Sequence, residues 1–314
     1  MVFKIESKDY YIFNNNGEEI RCSLRGKFKK EYELKFEKLY AVDVATVGDK
    51  VEFNLNKDGT GVITKINERR NYISRKAPRI KGASTRGERL EQIVAANVDN
   101  LIIVSSCQQP KFNNRTIDRF IVAAECSHIN SIIVINKIDL DSGKQCTEWS
   151  ELYRAIGYKV IETCVPQNIG IDKLKKLLAG SINLFWGTSG VGKSSLLNLM
   201  YPGLSLKTGV ISKATSKGKH TTVTSLMKKV DDKTFVIDTP GIREIDPYGI
   251  RKEDVGHYFK EFSDFIGGCK FNTCTHHHEP GCAVIDAVEK KIINSGRYQS
   301  YLNIIETVEE DINF

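Results

Sequence analysis

The chain has little that would place it in or across a membrane. In its 314 residues no apolar stretch approaches the ~18–20 residues of a membrane span. The segment Met1 to Lys8 lacks the apolar core of a secretory signal. These absences predict a cytoplasmic protein with no membrane contact. A disulfide framework is missing as well. Of eight cysteines, five (Cys22, Cys107, Cys126, Cys146 and Cys164) are scattered along the chain, as expected of buried or unpaired thiols. Acidic excess is also absent. The net charge is +7, and residues 1–90 hold 20 Lys/Arg against 13 Asp/Glu, while residues 91–314 hold 26 against 26. The excess is densest in Arg69, Arg70, Arg75, Lys76, Arg79 and Lys81, with Arg86 and Arg89 beyond. A localised basic stretch is the footprint of a nucleic-acid binder or a solvated basic linker, and charge alone does not choose.

What is present is a set of nucleotide-binding motifs in an unusual order. Asn136-Lys137-Ile138-Asp139 closes an apolar run, Ser131 to Ile135. A carboxylate such as Asp139 can accept both the N1–H and the 2-amino group of guanine; adenine offers neither donor in that arrangement. Further on, Gly187, Thr188, Ser189, Gly190, Val191, Gly192, Lys193 and Ser194 match the phosphate-binding loop in full, with Ser195 continuing into a helix-like run. Glycines let the backbone curl until its N–H groups surround phosphates. Lys193 is expected to reach the β- and γ-phosphates, and the Ser194 hydroxyl to ligate Mg²⁺. Asp238 and Gly241 follow in the DTPG motif, where Asp238 would hold Mg²⁺ through water and the Gly241 N–H would face the γ-phosphate. In an ordinary GTPase the base-reading motif comes last. Here it comes first, which means the same domain has been cut and rejoined: a circular permutation. Asp139 argues against a general P-loop ATPase.

The flanking patterns predict three domains. Val51–Leu55, Gly61–Ile66, Tyr10–Phe13 and Ile20–Leu24 read as short strands, with a turn at 57–59. That suits a small closed barrel over 1–74, OB-like, although an SH3-like barrel reads the same way. Residues 75–92, with Pro78, Gly82 and Gly87 amid charge, read as a basic linker or mobile loop. From 93 to 245 the chain alternates strand and helix, which gives an α/β GTPase domain on a parallel sheet. Thr163 to Gly170 takes the place of the fifth GTPase loop. Residues 246–314 are expected to form a helical zinc-binding domain. Three cysteines fall at Cys269, Cys274 and Cys282 beside His276, His277 and His278. Three thiolates and one imidazole make a closed zinc site of structural type.

The barrel-like segment, the permuted motif order, Gly218-Lys-His-Thr-Thr222 and Cys269…Cys274-Thr-His276…Glu279-Pro-Gly-Cys282 resemble the circularly permuted, ribosome small-subunit-dependent GTPases of the RsgA/YjeQ type. The resemblance covers nearly the whole chain. It implies slow GTP hydrolysis to GDP and phosphate, stimulated by the small ribosomal subunit, and a role in late maturation of that subunit. It implies contacts to rRNA from the barrel and zinc domains, one structural Zn²⁺ held by Cys269, Cys274, His276 and Cys282, and Mg²⁺ bound with GTP. The chain is expected to act as a monomer. An alternative is a nucleotide-gated RNA-binding adaptor in which hydrolysis is incidental. The residue after the DTPG motif is Ile242, which cannot orient water as a glutamine does there in many GTPases. His220 is the candidate for that work, or else an exposed residue of a loop; Thr221 or Thr222 would supply the second Mg²⁺ ligand. Permutation also sends the chain from Gly241 directly towards the zinc domain, so a change at the γ-phosphate is expected to move that domain.

Overall fold

The structure, a computed structural model, describes residues 1–6, 8–14, 16–26, 44–76, 91–206, 225–239 and 250–309. The N-terminal sheet has five strands: β1 (Val2–Glu6), β2 (Asp9–Phe13), β3 (Glu19–Leu24), β4 (Val51–Leu55) and β5 (Gly61–Ile66), in the order β1-β2-β3-β5-β4. β4 and β5 form the expected antiparallel hairpin, with an irregularity at Glu52/Phe53. β3 and β5 run parallel, Cys22 opposite Gly61. A meander of hairpins makes only antiparallel neighbours, so the parallel pair marks the OB-type Greek key rather than a simple meander. Gly61 is required there, because a Cβ would lie 2.6 Å from the Cys22 Sγ. Val2, Ile12, Ile20, Cys22 and Ile63 fill the barrel. The ends approach through Val2 N–H to Asp49 O (2.8 Å) and Gly48 N–H to Val2 O (2.8 Å). Asp49, fully buried, is held by the Nε and Nη2 of Arg69, both at 2.8 Å.

The segment expected as linker, 75–92, begins and ends in strand. β6 (Tyr72–Lys76) pairs antiparallel with β7 (Glu91–Ala96). Charged residues on the strand hid the alternation: Ile73 is buried while Arg75 lies half-buried with its guanidinium on Gln92.

The central sheet has six strands in the order β10-β9-β8-β11-β13-β12: β8 (Asn100–Ser106), β9 (Asn130–Asn136), β10 (Lys159–Thr163), β11 (Ile182–Trp186), β12 (Leu226–Lys229) and β13 (Phe235–Asp238). All neighbours are parallel except β12 on β13. Because successive side chains alternate faces, β8 sends Leu101 and Ile103 into one core and Ile102 and Val104 into the other. Helices α1 (Asn114–Cys126) and α2 (Gln145–Ile156) cover the first face; α3 (Ile171–Leu178) and α4 (Lys193–Met200) cover the second. Asn113 caps α1, its side chain accepting the Thr116 N–H. The barrel shares the first core: Phe3, Val47 and Ile73 pack with Leu101 and Ile103, and Phe13 meets Phe235 at 6.3 Å between ring centres.

Beyond Ile250, 3₁₀ turns lead to α5 (Ser263–Ile266), α6 (Ala283–Glu289) and α7 (Ser295–Glu309), the expected helical domain. Its core of Val255, Phe259, Phe262, Val284, Tyr301 and Ile305 includes Val122 of α1. Among the described residues, no helix is long and apolar enough to cross a membrane.

Candidate GTP site and zinc centre

β11 is a central strand, so the loop after it opens at the carboxyl edge of the sheet, where ligands of open parallel sheets bind. Gly187 is buried, and a Cβ there would lie 2.2 Å from Val104 O. Gly190 and Gly192 have φ of +87° and +100°, values that L side chains rarely adopt. A Cβ on Gly192 would also meet Asn136 Nδ2 at 2.3 Å. Ser194 and Ser195 lie in the first turn of α4, whose leading N–H groups have no partner within the helix. Lys193 donates to Gly187 O at 2.7 Å and Thr188 O at 3.3 Å. Burial pulls its pKa down, and the neighbouring Asp238 carboxylate opposes this. Asp238 ends β13, in parallel register with Phe185 of β11. Burial raises its pKa against the pull of Lys193 and Lys228.

The two motifs separated in sequence meet here. Asn136 ends β9; its Nδ2 donates to Val191 O at 2.9 Å, and its Oδ1 accepts from the Thr163 hydroxyl at 3.0 Å. Lys137 takes the left-handed conformation, φ 60°. Its ammonium donates to Gly190 O at 2.8 Å and to Gln109 O. The base-reading and phosphate-binding loops are thus stapled by two adjacent side chains. Ile138 to Leu140 make a 3₁₀ turn, with Ile138 against the core and Asp139 exposed. The Cys164 thiol donates to the Asp139 carboxylate at 3.1 Å. Burial first, then that carboxylate, pushes the thiol pKa up, so it remains a donor. Cys164 and Ile169 close the expected fifth loop by reciprocal backbone bonds of 3.1 and 3.0 Å. Neither Thr163 nor Cys164 is distinctive in sequence; the strand-end position after an apolar β10 is the signal that points to them. His220, Thr221, Thr222, Gly241 and Ile242 lie outside the described residues, as do residues 77–90 and 240–249.

Cys269, Cys274, His276 and Cys282 bring their ligand atoms together. Cys269 Sγ lies 3.5 Å from His276 Nδ1 and 3.9 Å from Cys282 Sγ, and His276 Nδ1 lies 3.4 Å from Cys282 Sγ. A tetrahedron with Zn–S of about 2.3 Å and Zn–N of about 2.0 Å has S···S edges of about 3.8 Å and S···N edges of about 3.5 Å. The cluster therefore fits zinc, with no position left open. Burial raises the Cys274 and Cys282 thiols, and the Cys269 sulfur beside them adds to both, a crowding that a divalent cation reverses. His276 is chosen over its neighbours by the backbone. It takes φ 52° and is buried, whereas His277 and His278 point to solvent. Gly256 packs against the far edge of the His276 ring, where a Cβ would meet Cδ2 at 3.0 Å. Glu279 accepts from the N–H groups of Thr275, His277 and His278. Burial alone would raise its carboxyl; these bonds and the Thr275 hydroxyl hold it well below the usual range. Tyr298 donates to His276 O at 2.8 Å, and Tyr301 donates to Thr275 O.

This fold and these two centres define a circularly permuted P-loop GTPase with an OB-type barrel and a Cys₃His zinc domain. The chain belongs to the RsgA GTPase family. The family profile of the RsgA GTPase matches residues 66–248, and that of the RsgA N-terminal domain matches residues 1–63. The chain is 38% identical over 313 residues to "Small ribosomal subunit biogenesis GTPase RsgA 2" of Bacteroides thetaiotaomicron, covering 99% of this chain and 97% of that protein. It is 37% identical to the Chlorobaculum parvum protein of the corresponding name, covering 99% and 98%. Among solved structures, YjeQ from Thermotoga maritima superposes with a TM-score of 0.76 at 32% identity, covering 98% of this chain and 96% of that one. YloQ, described as a circularly permuted GTPase, gives 0.71 at 28% identity, covering 98% and 94%.

Proposed function

We propose that this GTPase acts in the cytoplasm, as a monomer, in late maturation of the small ribosomal subunit, and that the subunit stimulates its turnover. The observation that carries the reading is the joining of two loops. Asn136 and Lys137 bond the phosphate loop at Val191 and Gly190 within a chain alike, along 99% of its length, to proteins named for small-subunit biogenesis.

In this reading Asp139, aimed by Cys164, accepts the N1–H and 2-amino group of guanine. Backbone N–H groups of Gly187 to Ser194 surround the phosphates, and Lys193 exchanges its loop carbonyls for the β- and γ-phosphate oxygens. Mg²⁺ fits the oxygen donors of Ser194 and Asp238. A buried carboxylate with a raised pKa, such as Asp238, is what a hard cation compensates; the ion neutralises phosphate charge. Thr221 or Thr222 completes that shell, the Gly241 N–H faces the γ-phosphate, and His220 orients water in place of the glutamine that Ile242 excludes. Small-subunit rRNA is met by the basic N-terminal surface and the zinc domain, whose zinc is structural.

The test compares GTP turnover of wild-type and His220→Ala protein alone and with purified small subunits, large subunits or free RNA. Stimulation by small subunits alone is expected. His220→Ala should keep GTP affinity within a few-fold and lose about 10²-fold in stimulated turnover. Equal turnover in all four conditions would favour the adaptor reading, and full stimulated turnover in the variant would leave water positioning to the ribosome.

A further inference from the structure

Two buried cysteines stand behind the base-reading loop and have no part in the scheme above. Cys107 follows β8, and its N–H donates to Asn136 O at 3.0 Å. Cys146 lies in the first turn of α2, just after the loop. Both are 2% exposed. Their sulfurs and a carboxylate oxygen of Asp141 lie within 4.8 Å of one another. Asp141 is half-buried, at the edge where the cluster meets solvent. It is held in orientation by the N–H of Cys146 (3.3 Å) and the N–H and hydroxyl of Thr147 (both 3.1 Å).

The other scattered thiols differ. Cys126 donates to Ala123 O at 3.2 Å, Cys22 packs among apolar side chains in the barrel, and Cys164 serves Asp139. Cys107 and Cys146 instead face each other and a carboxylate, three donors placed just after β8, just after the 3₁₀ turn and at the start of α2. We propose that Cys107, Cys146 and Asp141 form a second metal site for one thiophilic divalent cation of the zinc class, which braces the guanine-binding loop from behind.

The chemistry selects the ion. Two sulfurs and one carboxylate are soft-to-borderline donors that favour zinc over magnesium or calcium. Three protein ligands leave a fourth position for water, unlike the closed Cys₃His centre. Binding releases the thiol protons to solvent. The consequence for nucleotide follows from connectivity. The ion would tie the residue bonded to Asn136 O to the helix that ends the loop, so residues 137–145 would be closed at both ends. A loop fixed in its binding form releases guanine nucleotide more slowly.

The experiment uses full-length protein with its Cys₃His centre loaded with zinc. Further Zn²⁺ is titrated against a chromophoric chelator, and Co²⁺ is followed by its thiolate charge-transfer absorption. We expect a second ion per chain in wild type and only the first in Cys107→Ala/Cys146→Ala. Asp141→Asn, which leaves the core intact, should weaken the second ion by about tenfold or more. Release of fluorescent GDP from wild type should slow about fivefold on adding the second equivalent. A single ion per wild-type chain, or a second ion retained by the double variant (at His277 and His278, for example), overturns the site. Unchanged GDP release with the second ion bound overturns the brace. Metal counting needs no nucleotide, so these results stand apart from the outcome of the turnover assay.

Discussion

Arg297 should hold the zinc domain against the GTPase domain, and removing it should cost more than any surface charge can. The side chain is fully buried on α7. Its Nη1 donates to Asp118 of α1, which is also 0% exposed, and its Nε and Nη2 donate to Glu261 at 2.6 and 3.1 Å. Tyr153 of α2 adds a 2.6 Å bond from its hydroxyl to Asp118. The guanidinium lies over the rings of Phe259 at 4.6 Å and Tyr153 at 5.5 Å. One cation thus serves two carboxylates. Arg297→Ala would leave both without it in a dry site, a loss of about 3–5 kcal/mol for breaking a buried pair. The lost ring contacts add roughly 0.5–2 kcal/mol. Arg297→Met keeps much of the apolar volume and should lose most of the same energy. Adding Asp118→Asn and Glu261→Gln to it should recover a large part, because replacing all the charges removes the stranded ones. Urea unfolding measures the energy, and Trp149 reports undocking. Its ring sits at Gly296, where an added Cβ would lie 3.0 Å from Cη2, so its fluorescence should change in an earlier transition than that of the fully buried Trp186. Arg297→Ala within about 1 kcal/mol of wild type, with coincident signals from both tryptophans, would refute the reasoning.

Three further outcomes follow. Asp139→Asn should lower GTP affinity by roughly 2–3 kcal/mol and shift preference towards xanthine nucleotide, whose oxygen replaces the amino group; competition binding measures both. Cys164→Ala should weaken GTP binding about two- to tenfold through loss of one hydrogen bond to Asp139, with Cys164→Ser near wild type; identical affinities for all three proteins would end the positioning role. Chelation of zinc, or Cys282→Ser, should melt α5 to α7 while the central sheet persists, read by metal content and amide exchange; protection retained in α7 without metal would count against a structural zinc.

The motifs were legible because each needs its residue types within a short stretch: glycines to curl a phosphate loop, a carboxylate after a strand to read guanine, thiols at short spacing to hold zinc. Strands β4 and β5 also fall at Val51–Leu55 and Gly61–Ile66, the bounds that their patterns predict. Contacts between distant segments were not legible. Arg297 reads as an ordinary polar residue of a terminal helix; its partners Asp118, 179 residues earlier, and Glu261, 36 residues earlier, make it a core residue. The ribbon of β6 and β7 escaped notice because glycine, proline and charge between the strands imitate a linker. That ribbon changes how the basic region must be probed. Deleting residues 1–90 removes charge, but it also strips β6 from β7 and takes Phe3, Val47 and Ile73 out of the shared core. Point substitution of Arg79, Lys81, Arg86 and Arg89 changes charge and leaves Phe3, Val47, Ile73 and the β6 sequence in the chain.

Permutation then has a spatial meaning beyond motif order. The barrel packs into the first core of the sheet, and the zinc domain packs on α1, the helix that covers that face. Helix α1 is the element between. Ile117, Phe120 and Ile121 lie in the sheet core, while Val122 lies in the zinc-domain core and Asp118 holds Arg297. The segment leading into α1 touches the nucleotide loops: Gln109 O accepts from Lys137, and Pro110 Cδ lies 3.5 Å from where a Cβ on Gly190 would stand. Hydrogen bonds and backbone contacts therefore link the guanine loop and the phosphate loop to the segment before α1, and α1 in turn packs on the zinc domain. A shift of Lys137 or Gly190 on nucleotide exchange would act on α1 directly, and the buried Arg297 cluster, being costly to break, would carry α7 along as a body rather than let it slide.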